Sequence, residues 1–354
     1  MKKINVGVIG LGNMGYLHLM NCLHIDDVNV VAVSDKSKRA LKKAENAGVQ
    51  NSYEDYQDLI SKQSGELDAV VISLPNFLHF ESIKLSLESG FDVFVEKPIA
   101  VSTNECREII RLVEKHGRKL MPGHSMRFIP AIEKMRETVD SGKIGSLKII
   151  TIESIQNGPL SHGVEPKPIP EWWFNPKMSG GGALIDLGYH LIDLFRSFAG
   201  ESHVKFSCLD YNYNLPVEDG ATVILESENT STRGIINVGW FEKTIFPRFN
   251  FRMILHGNAD FISTEQLLPR NLYSHAVKEG VNNFFRKVSG RKIHPLSYTY
   301  YYESQFKELD HFFECIRNDI NPSISATDGM KTIEIIEDAY TFARTNQTYL
   351  KMKE

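Results

Sequence analysis

The chain has 354 residues, 42% hydrophobic and 24% charged, which exceeds the ~100–200 residues of an average domain, so two domains are expected. Forty basic against forty-four acidic side chains give a formal net charge of −4, and without a block of like charge nucleic acid is not an expected partner. No apolar run approaches the ~18–20 residues of a membrane span, and Cys22, Cys106, Cys208 and Cys315 form no C-x-x-C pair, so neither a zinc knot nor a disulfide framework is indicated and a cytoplasmic setting is expected.

The opening MKKINVGVIGLGNMG is basic and then apolar, as a secretory leader is, but it is short, glycine-interrupted and lacks a cleavage site, so it reads as a first strand. INVGVIG, VNVVAVSD, LDAVVISLP, FDVFVEKP and RKLMPGH follow one another with helix-like spacing between them, an alternation that predicts parallel strands joined by crossover helices. Near-continuous apolar character in VVAV and AVVIS fits strands buried on both faces. After about residue 123 the texture changes. A helix is predicted from Pro130 to Ser141, then the strands SLKIITIESI, ATVILESEN, TRGIINVGW and FRMILHG, with one intervening helix at Ala183 to Phe198. These predict a large, mostly antiparallel sheet. Helices are expected again in QFKELDHFFECIRND and DGMKTIEIIEDAYTFARTNQ, split by INPSIS. Residues 265–302 give no clear pattern; HAVKEGVNNFFRKVSGRK is weakly amphipathic, and SYTYYYE is open between loop and strand. The expected fold is therefore α/β: a doubly wound parallel sheet over residues 1–123, then an α+β domain over 124–354 whose last helices are free to pack back on the first domain.

Gly10-x-Gly12-x-x-Gly15 directly follows the first strand and opens a predicted helix, MGYLHLMNCL. In a dinucleotide fingerprint the first glycine permits a tight turn, the second admits a pyrophosphate and the third lets helix and strand pack closely, with Asn13 and Met14 inside the loop. Phosphates would sit on amides at the helix N-terminus. Asp35 ends the second strand, where a carboxylate can accept from ribose hydroxyls and repel a 2′-phosphate, so NAD is expected over NADP. Lys36, Lys38 and Arg39 leave NADP open, since they could swing over a phosphate. Pro75, Asn76 and His79 lie in LPNFLH, at the ligand edge of the sheet. His79 is open between cofactor contact and packing.

Two distant stretches carry the chemistry. In VEKP, Lys97 follows Glu96 at a strand exit fixed by Pro98, and an ammonium there can hydrogen-bond a reacting oxygen. In SGGGALIDLGYHLID, Asp186 and His190 stand four apart, ~40° around an α-helix, so they share a face. Histidine accepts protons near neutrality. The glycines before the helix would let a sugar or nicotinamide ring approach the backbone. A core histidine with a structural aspartate is the plainer alternative, and Asp193, three residues after His190, is open to being mistaken for the functional acid.

Taken together, GLGNMG, LPNFLH, VEKP, GHSMRFIP, WWFNPKMSGGGALIDLGYHLID and ATDGMKTIEIIEDA resemble the Gfo/Idh/MocA oxidoreductases over nearly the whole chain. The resemblance implies a Rossmann domain and a second domain whose open sheet mediates homodimers or homotetramers. It implies Lys97 as the catalytic lysine, Glu96 near the nicotinamide ribose, His190 as acid/base, Asp186 as its substrate-binding partner, and Arg127 and Trp173 lining the pocket. Met126 stands where a second arginine is usual, which puts a phosphate role for that loop in doubt. The implied activity is NAD(P)-dependent oxidation of a secondary hydroxyl on a sugar, cyclitol or nucleotide-sugar. An NAD-dependent glycosidase using transient sugar oxidation and a non-catalytic dinucleotide-sensing regulator remain alternatives. Asn157, His162, Tyr189 and Tyr211 are polar candidates for substrate, and Arg286, Lys287, Arg291 and Lys292 form a basic stretch that fits a solvated face better than a nucleotide diphosphate. No metal is implied.

Overall fold

In the computed structural model, which describes residues 3–160, 170–241, 251–269, 271–290 and 300–351, the β-branched runs of the first third pair into one parallel sheet. Its strands are β1 (Ile4–Ile9), β2 (Val28–Ser34), β3 (Asn51–Tyr53), β4 (Ala69–Ile72), β5 (Asp92–Val95) and β6 (Leu120–Pro122), in the order β3-β2-β1-β4-β5-β6. Every neighbouring pair is parallel. That is the doubly wound order, and the reversal between β1 and β4 opens a crevice beyond the carboxyl ends of the strands. Both β4 and β5 are buried along their whole length, as apolar runs covered on two faces must be. The short edge strand β3 escaped the sequence reading because NSY has no apolar run; consequently the third and fourth strands expected from the sequence are β4 and β5.

Local chemistry sets the ends of the crossover helices. Thr103–His116 starts where the Ser102 side chain accepts from the Glu105 amide, and stops at Gly117, whose φ of 60° is the left-handed turn that glycine adopts without a Cβ penalty. The chain divides into two units, Met1–Ser125 with Glu303–Met330, and Met126–Tyr302 with Lys331–Glu354. The first unit thus includes most of the helix Tyr300–Arg317, whose Phe312 ring lies 5.9 Å from that of Phe94 on β5. The helix takes up the end of SYTYYYE; residues 297–299 of that stretch lie outside the described residues.

The second unit is built on β7 (Leu147–Ile155), β8 (Ser202–Asp210), β9 (Gly220–Ser227), β10 (Arg233–Gly239), β11 (Arg252–Gly257) and β12 (Phe261–Ser263), ordered β12-β11-β7-β10-β9-β8. All pairs are antiparallel except β7 with β10. Strands β8 and β12 were not expected: β8 carries polar residues between its apolar ones, and β12 has three residues. Side chains alternate between the two faces with a period of two. Ile150, Ile152, Val223, Leu225, Ile236 and Val238 are buried on one face, while Ile149, Phe206 and Phe261 stand exposed elsewhere on the sheet. The helix expected at 183–198 begins as a π turn, Leu184–Gly188, before continuing as the α-helix Tyr189–Ala199. The unpatterned stretch forms Thr264–Leu267 and Leu272–Val288, the latter capped by the Asn271 side chain. Among the described residues no helix is long and apolar enough to cross a membrane.

Gly234 shows how closely helix and sheet approach, since a Cβ there would lie 2.7 Å from the Phe195 ring of the helix Tyr189–Ala199. Gly234→Ala is expected to overpack this contact and destabilise the protein by about 1–3 kcal/mol, seen as a lower urea midpoint with unchanged m-value.

Candidate active site

The glycine turn after β1 assigns each glycine a different task. Gly10 has φ of 86°, and a Cβ there would lie 2.4 Å from the Ser73 carbonyl oxygen. A Cβ on Gly15 would meet the Gly10 carbonyl oxygen at 1.9 Å, whereas one on Gly12 would meet nothing within 4 Å. The first and third glycines are therefore demanded by the chain's own packing, and the second faces open space. Gly12 is also the N-cap of the helix Asn13–His24, with no side-chain cap and no acidic residue in the first turn. A pyrophosphate fits such an end, where amides point outward and the helix dipole favours negative charge. Asn13 is exposed and Met14 half-buried beside it. The Asp35 carboxylate is fixed on this loop, accepting from the Leu11 amide at 2.6 Å and the Ser37 amide at 2.7 Å. Each oxygen has a second lone pair for a ribose hydroxyl. Lys36 pairs with Asp55 and Lys38 with Glu54, so these cations are turned to neighbouring acids.

At the β4 exit Pro75 precedes a short 3-10 turn, Asn76–Leu78, and His79 opens the helix His79–Glu88. His79 is fully buried, with Nδ1 2.6 Å from the Pro98 carbonyl oxygen and Nε2 2.8 Å from that of Leu74. Both ring nitrogens are thus occupied by backbone, and the side chain braces the β4 exit against the β5 exit. Burial lowers its pKa, opposed by the two carbonyls. At the end of β5, Glu96 binds His18 Nε2 through Oε1 at 2.6 Å and accepts from the Lys97 amide through Oε2 at 3.1 Å. Lys97 is half-buried and its peptide bond to Pro98 is cis. A cavity lined by Asp68, Asp92 and Arg118 opens at the opposite, amino-terminal edge of this sheet, away from the edge that binds ligands in such folds.

In the second unit the glycine run serves a purpose different from the one expected. A Cβ on Gly181 would lie 1.9 Å from the Tyr340 hydroxyl, and one on Gly182 1.9 Å from the Glu218 carbonyl oxygen. These two glycines are required by protein neighbours, which corrects the expectation that the run lies open to a sugar or nicotinamide. Glu218 Oε1 accepts from the Gly182 amide at 2.9 Å, the Leu184 amide at 3.0 Å and the Tyr340 hydroxyl at 2.7 Å. Burial pushes the Glu218 pKa up and its three donors oppose this; burial and Glu218 together push Tyr340 well above the ordinary phenol range. The carboxylate anchors the start of the turn that carries Asp186.

Asp186 is half-buried in the π turn and its Oδ2 accepts from Trp240 Nε1 at 3.2 Å; His190 is the second residue of the following helix and is buried. The wider winding of a π turn separates the pair differently from the ~40° of an α-helix, and such turns recur at functional sites. Asp193 is nearly fully buried and receives Arg127 through both Nε and Nη2. This bidentate pair accounts for Asp193 and commits two donors of Arg127. Trp173 is half-buried, stacked on Trp172 with ring centroids 5.0 Å apart. Tyr189 is fully buried and Tyr211 exposed, and Arg286 pairs with Glu279. His162, Arg291 and Lys292 lie outside the described residues. The residues the sequence reading missed are Glu218, Tyr340, Trp240 and His18, single polar or aromatic positions outside any spacing motif.

Comparison with known proteins agrees with this geometry. Residues 4–124 match a family model described as an oxidoreductase family with an NAD-binding Rossmann fold, so the first unit carries an NAD-binding oxidoreductase domain. Residues 132–259 match the GFO/IDH/MocA C-terminal domain. The chain belongs to the Gfo/Idh/MocA family. It is 26% identical to a scyllo-inositol 2-dehydrogenase (NAD(+)) of Bacillus subtilis over 341 residues, 94% of this chain and 92% of that protein. It is 30% identical to the uncharacterised oxidoreductase YrbE of the same organism over 200 residues, 56% of this chain and only 54% of that protein. The match to the rhizopine catabolism protein MocA of Rhizobium meliloti, 26% identical, likewise spans 58% of this chain and 60% of that protein. Its fold is shared with a scyllo-inositol dehydrogenase of Lactobacillus casei solved with NAD(H) and scyllo-inositol, at TM-score 0.74 and 20% identity over 98% of both chains.

The glycine turn separates binding from stability. Gly12→Val is expected to weaken NADH binding by at least about tenfold, some 1.4 kcal/mol, with the urea midpoint unchanged, whereas Gly15→Val is expected to lower the midpoint itself. Fluorescence titration and denaturation on both variants check this. Glu218→Leu would strand the Gly182 and Leu184 amides and is expected to cost about 2–4 kcal/mol, read from the denaturation midpoint.

Proposed function

We propose that the chain is an NAD(P)-dependent dehydrogenase that exchanges hydride between a secondary hydroxyl of a sugar, cyclitol or nucleotide-sugar and the nicotinamide. The observation that carries it is the near full-length relationship to a scyllo-inositol 2-dehydrogenase, in a chain that carries an acid, an imidazole and an ammonium such a reaction needs. When bound, the nicotinamide supplies the hydride acceptor. In this reading His190 takes the proton of the substrate hydroxyl and returns it in the reverse direction, while Lys97 donates to the same oxygen and stabilises the charge that develops on it. Asp186, steadied by the Trp240 indole, holds the hydroxyl or orients the imidazole. Gly10, Gly12, Asn13, Met14, Gly15, Asp35, Pro75, Asn76 and Glu96 shape the cofactor side, His79 supports it as a brace, and Arg127 and Trp173 border the substrate. The engagement of Asp35 with the glycine loop and of the nearby lysines with acids favours NAD over NADP. Exposed Ile149, Phe206 and Phe261 on the second unit's sheet support a homodimer or homotetramer.

A panel of polyols, free sugars and nucleotide-sugars assayed for NAD and NADP reduction tests the reaction class. Lys97→Ala is expected to lower kcat/KM about 10²–10⁴-fold on the best substrate, with NADH affinity largely kept. Cleavage of an aryl glycoside without net NADH would replace the dehydrogenase reading by the glycosidase one, and NADH binding with no turnover on any substrate would leave a sensor.

A further inference from the structure

Two buried ionisable side chains in the first unit, His18 and Glu308, play no part in the chemistry above and lie beside Glu96. Glu308, on the helix Tyr300–Arg317, is fully buried and among the described residues neither carboxyl oxygen has a hydrogen-bond partner. Single ligand-type atoms of His18, Glu96 and Glu308 all lie within 4.8 Å of one another. His18 is also fully buried; its Nε2 is held by Glu96 and its Nδ1 has no partner among the described residues. The surroundings are apolar, with Phe94 edge-on to the His18 ring at 5.3 Å and Phe312 against Phe94.

The charges decide what this cluster can be. The titratable groups facing Glu308 are Glu96 from the β5 end and His18 from the first helix; His79 and Lys97 stand within electrostatic reach of one another and His79 of Glu96. Two ionised carboxyls here would place like charges together beside apolar side chains, and a buried carboxylate with no donor protonates instead. Burial first, and the Glu96 charge second, push Glu308 well above the ordinary carboxyl range. A metal ion fits less well. The 2.6 Å between His18 Nε2 and Glu96 Oε1 is a hydrogen bond, shorter than the ~3.3 Å that separates two ligands of a tetrahedral zinc with bonds near 2.0–2.1 Å.

We propose that Glu308 carries a proton at neutral pH and is the positioning residue for Glu96, keeping that carboxylate on His18 and on the Lys97 amide so that the Glu96–Pro98 segment holds its cofactor-binding shape. As the neutral acid Glu308 offers a donor to the cluster; as the anion it would repel Glu96 from His18 and loosen the Lys97 amide contact. The sign of the pH effect follows. The folded protein keeps a proton that the unfolded chain gives up in the ordinary carboxyl range, so the contribution to stability is whole below that range and is lost as pH rises towards Glu308's own titration. This rests on the reading of Glu96 as a cofactor-side residue, and it is tested without a substrate, so its failure is distinct from failure of the dehydrogenase reading.

The experiment compares infrared spectra and NADH fluorescence titrations of the wild-type protein, Glu308→Gln and Glu308→Leu from neutral to alkaline pH. The wild type is expected to show the carbonyl stretch of a protonated carboxylic acid that Glu308→Gln lacks. NADH affinity should fall by about tenfold or more, some 1.4 kcal/mol, only where that band is lost. Glu308→Gln, which keeps the shape and a donor but cannot ionise, should retain the neutral-pH affinity with no alkaline fall, and Glu308→Leu should bind weakly at every pH. Absence of the band at neutral pH, loss of the band with affinity unchanged, or equal loss of binding in Glu308→Gln and Glu308→Leu would each overturn the proposal. So would a stoichiometric metal in purified wild type that Glu308→Gln lacks. If Glu308→Leu fails to fold, the band and Glu308→Gln still decide.

Discussion

The contact on which the cofactor side depends is the approach of Gly15 to the Gly10 carbonyl, where a Cβ would sit 1.9 Å from the oxygen. That approach lets the helix Asn13–His24 start directly at the end of β1, with Gly12 turned to open space and no side-chain cap on the helix end. Anything larger at position 15 would move the helix away from the strand and with it the amides that a pyrophosphate needs. The strand order then matters because it reverses at β1 and β4, so the crevice falls where this turn, the β4 exit and the β5 exit all emerge.

Within each unit the same device recurs: a carboxylate is spent on backbone amides to fix a turn. Asp35 holds Leu11 and Ser37, Glu96 holds the Lys97 amide, and in the second unit Glu218 holds Gly182 and Leu184. Charge-assisted bonds of this kind are stronger than neutral ones and fix direction as well as distance. They fix the backbone beside Lys97 and at the start of the turn that carries Asp186. His79 adds a further brace, its two ring nitrogens set against the Leu74 and Pro98 carbonyl oxygens.

Much of this was legible in the sequence. The strands β1, β2, β4, β5 and β6, the glycine turn and the acid after β2 follow from apolar runs and fixed offsets, and the strands β7, β9, β10 and β11 from alternation. The strands β3, β8 and β12 were not, because edge pairing is imposed by a neighbour and leaves little apolar signal. The glycines before Asp186 were noticed and their purpose misread, since the side chains that demand them, Tyr340 and the Glu218 backbone, stand far along the chain.

What the sequence by itself determined is the set of local possibilities: which segments are strands or helices, that a turn at Gly10 can close, that Lys97 ends a strand and that Asp186 and His190 belong to one helical segment. These follow from hydrogen bonds and side-chain periods that act over a few residues. Tertiary structure alone decided that the helical segment opens with a π turn, that Arg127 meets Asp193, that both nitrogens of His79 go to carbonyls, and that Glu308 lies beside Glu96. Each depends on which side chains packing brings together and on how little water it leaves between them, and no spacing along the chain encodes either.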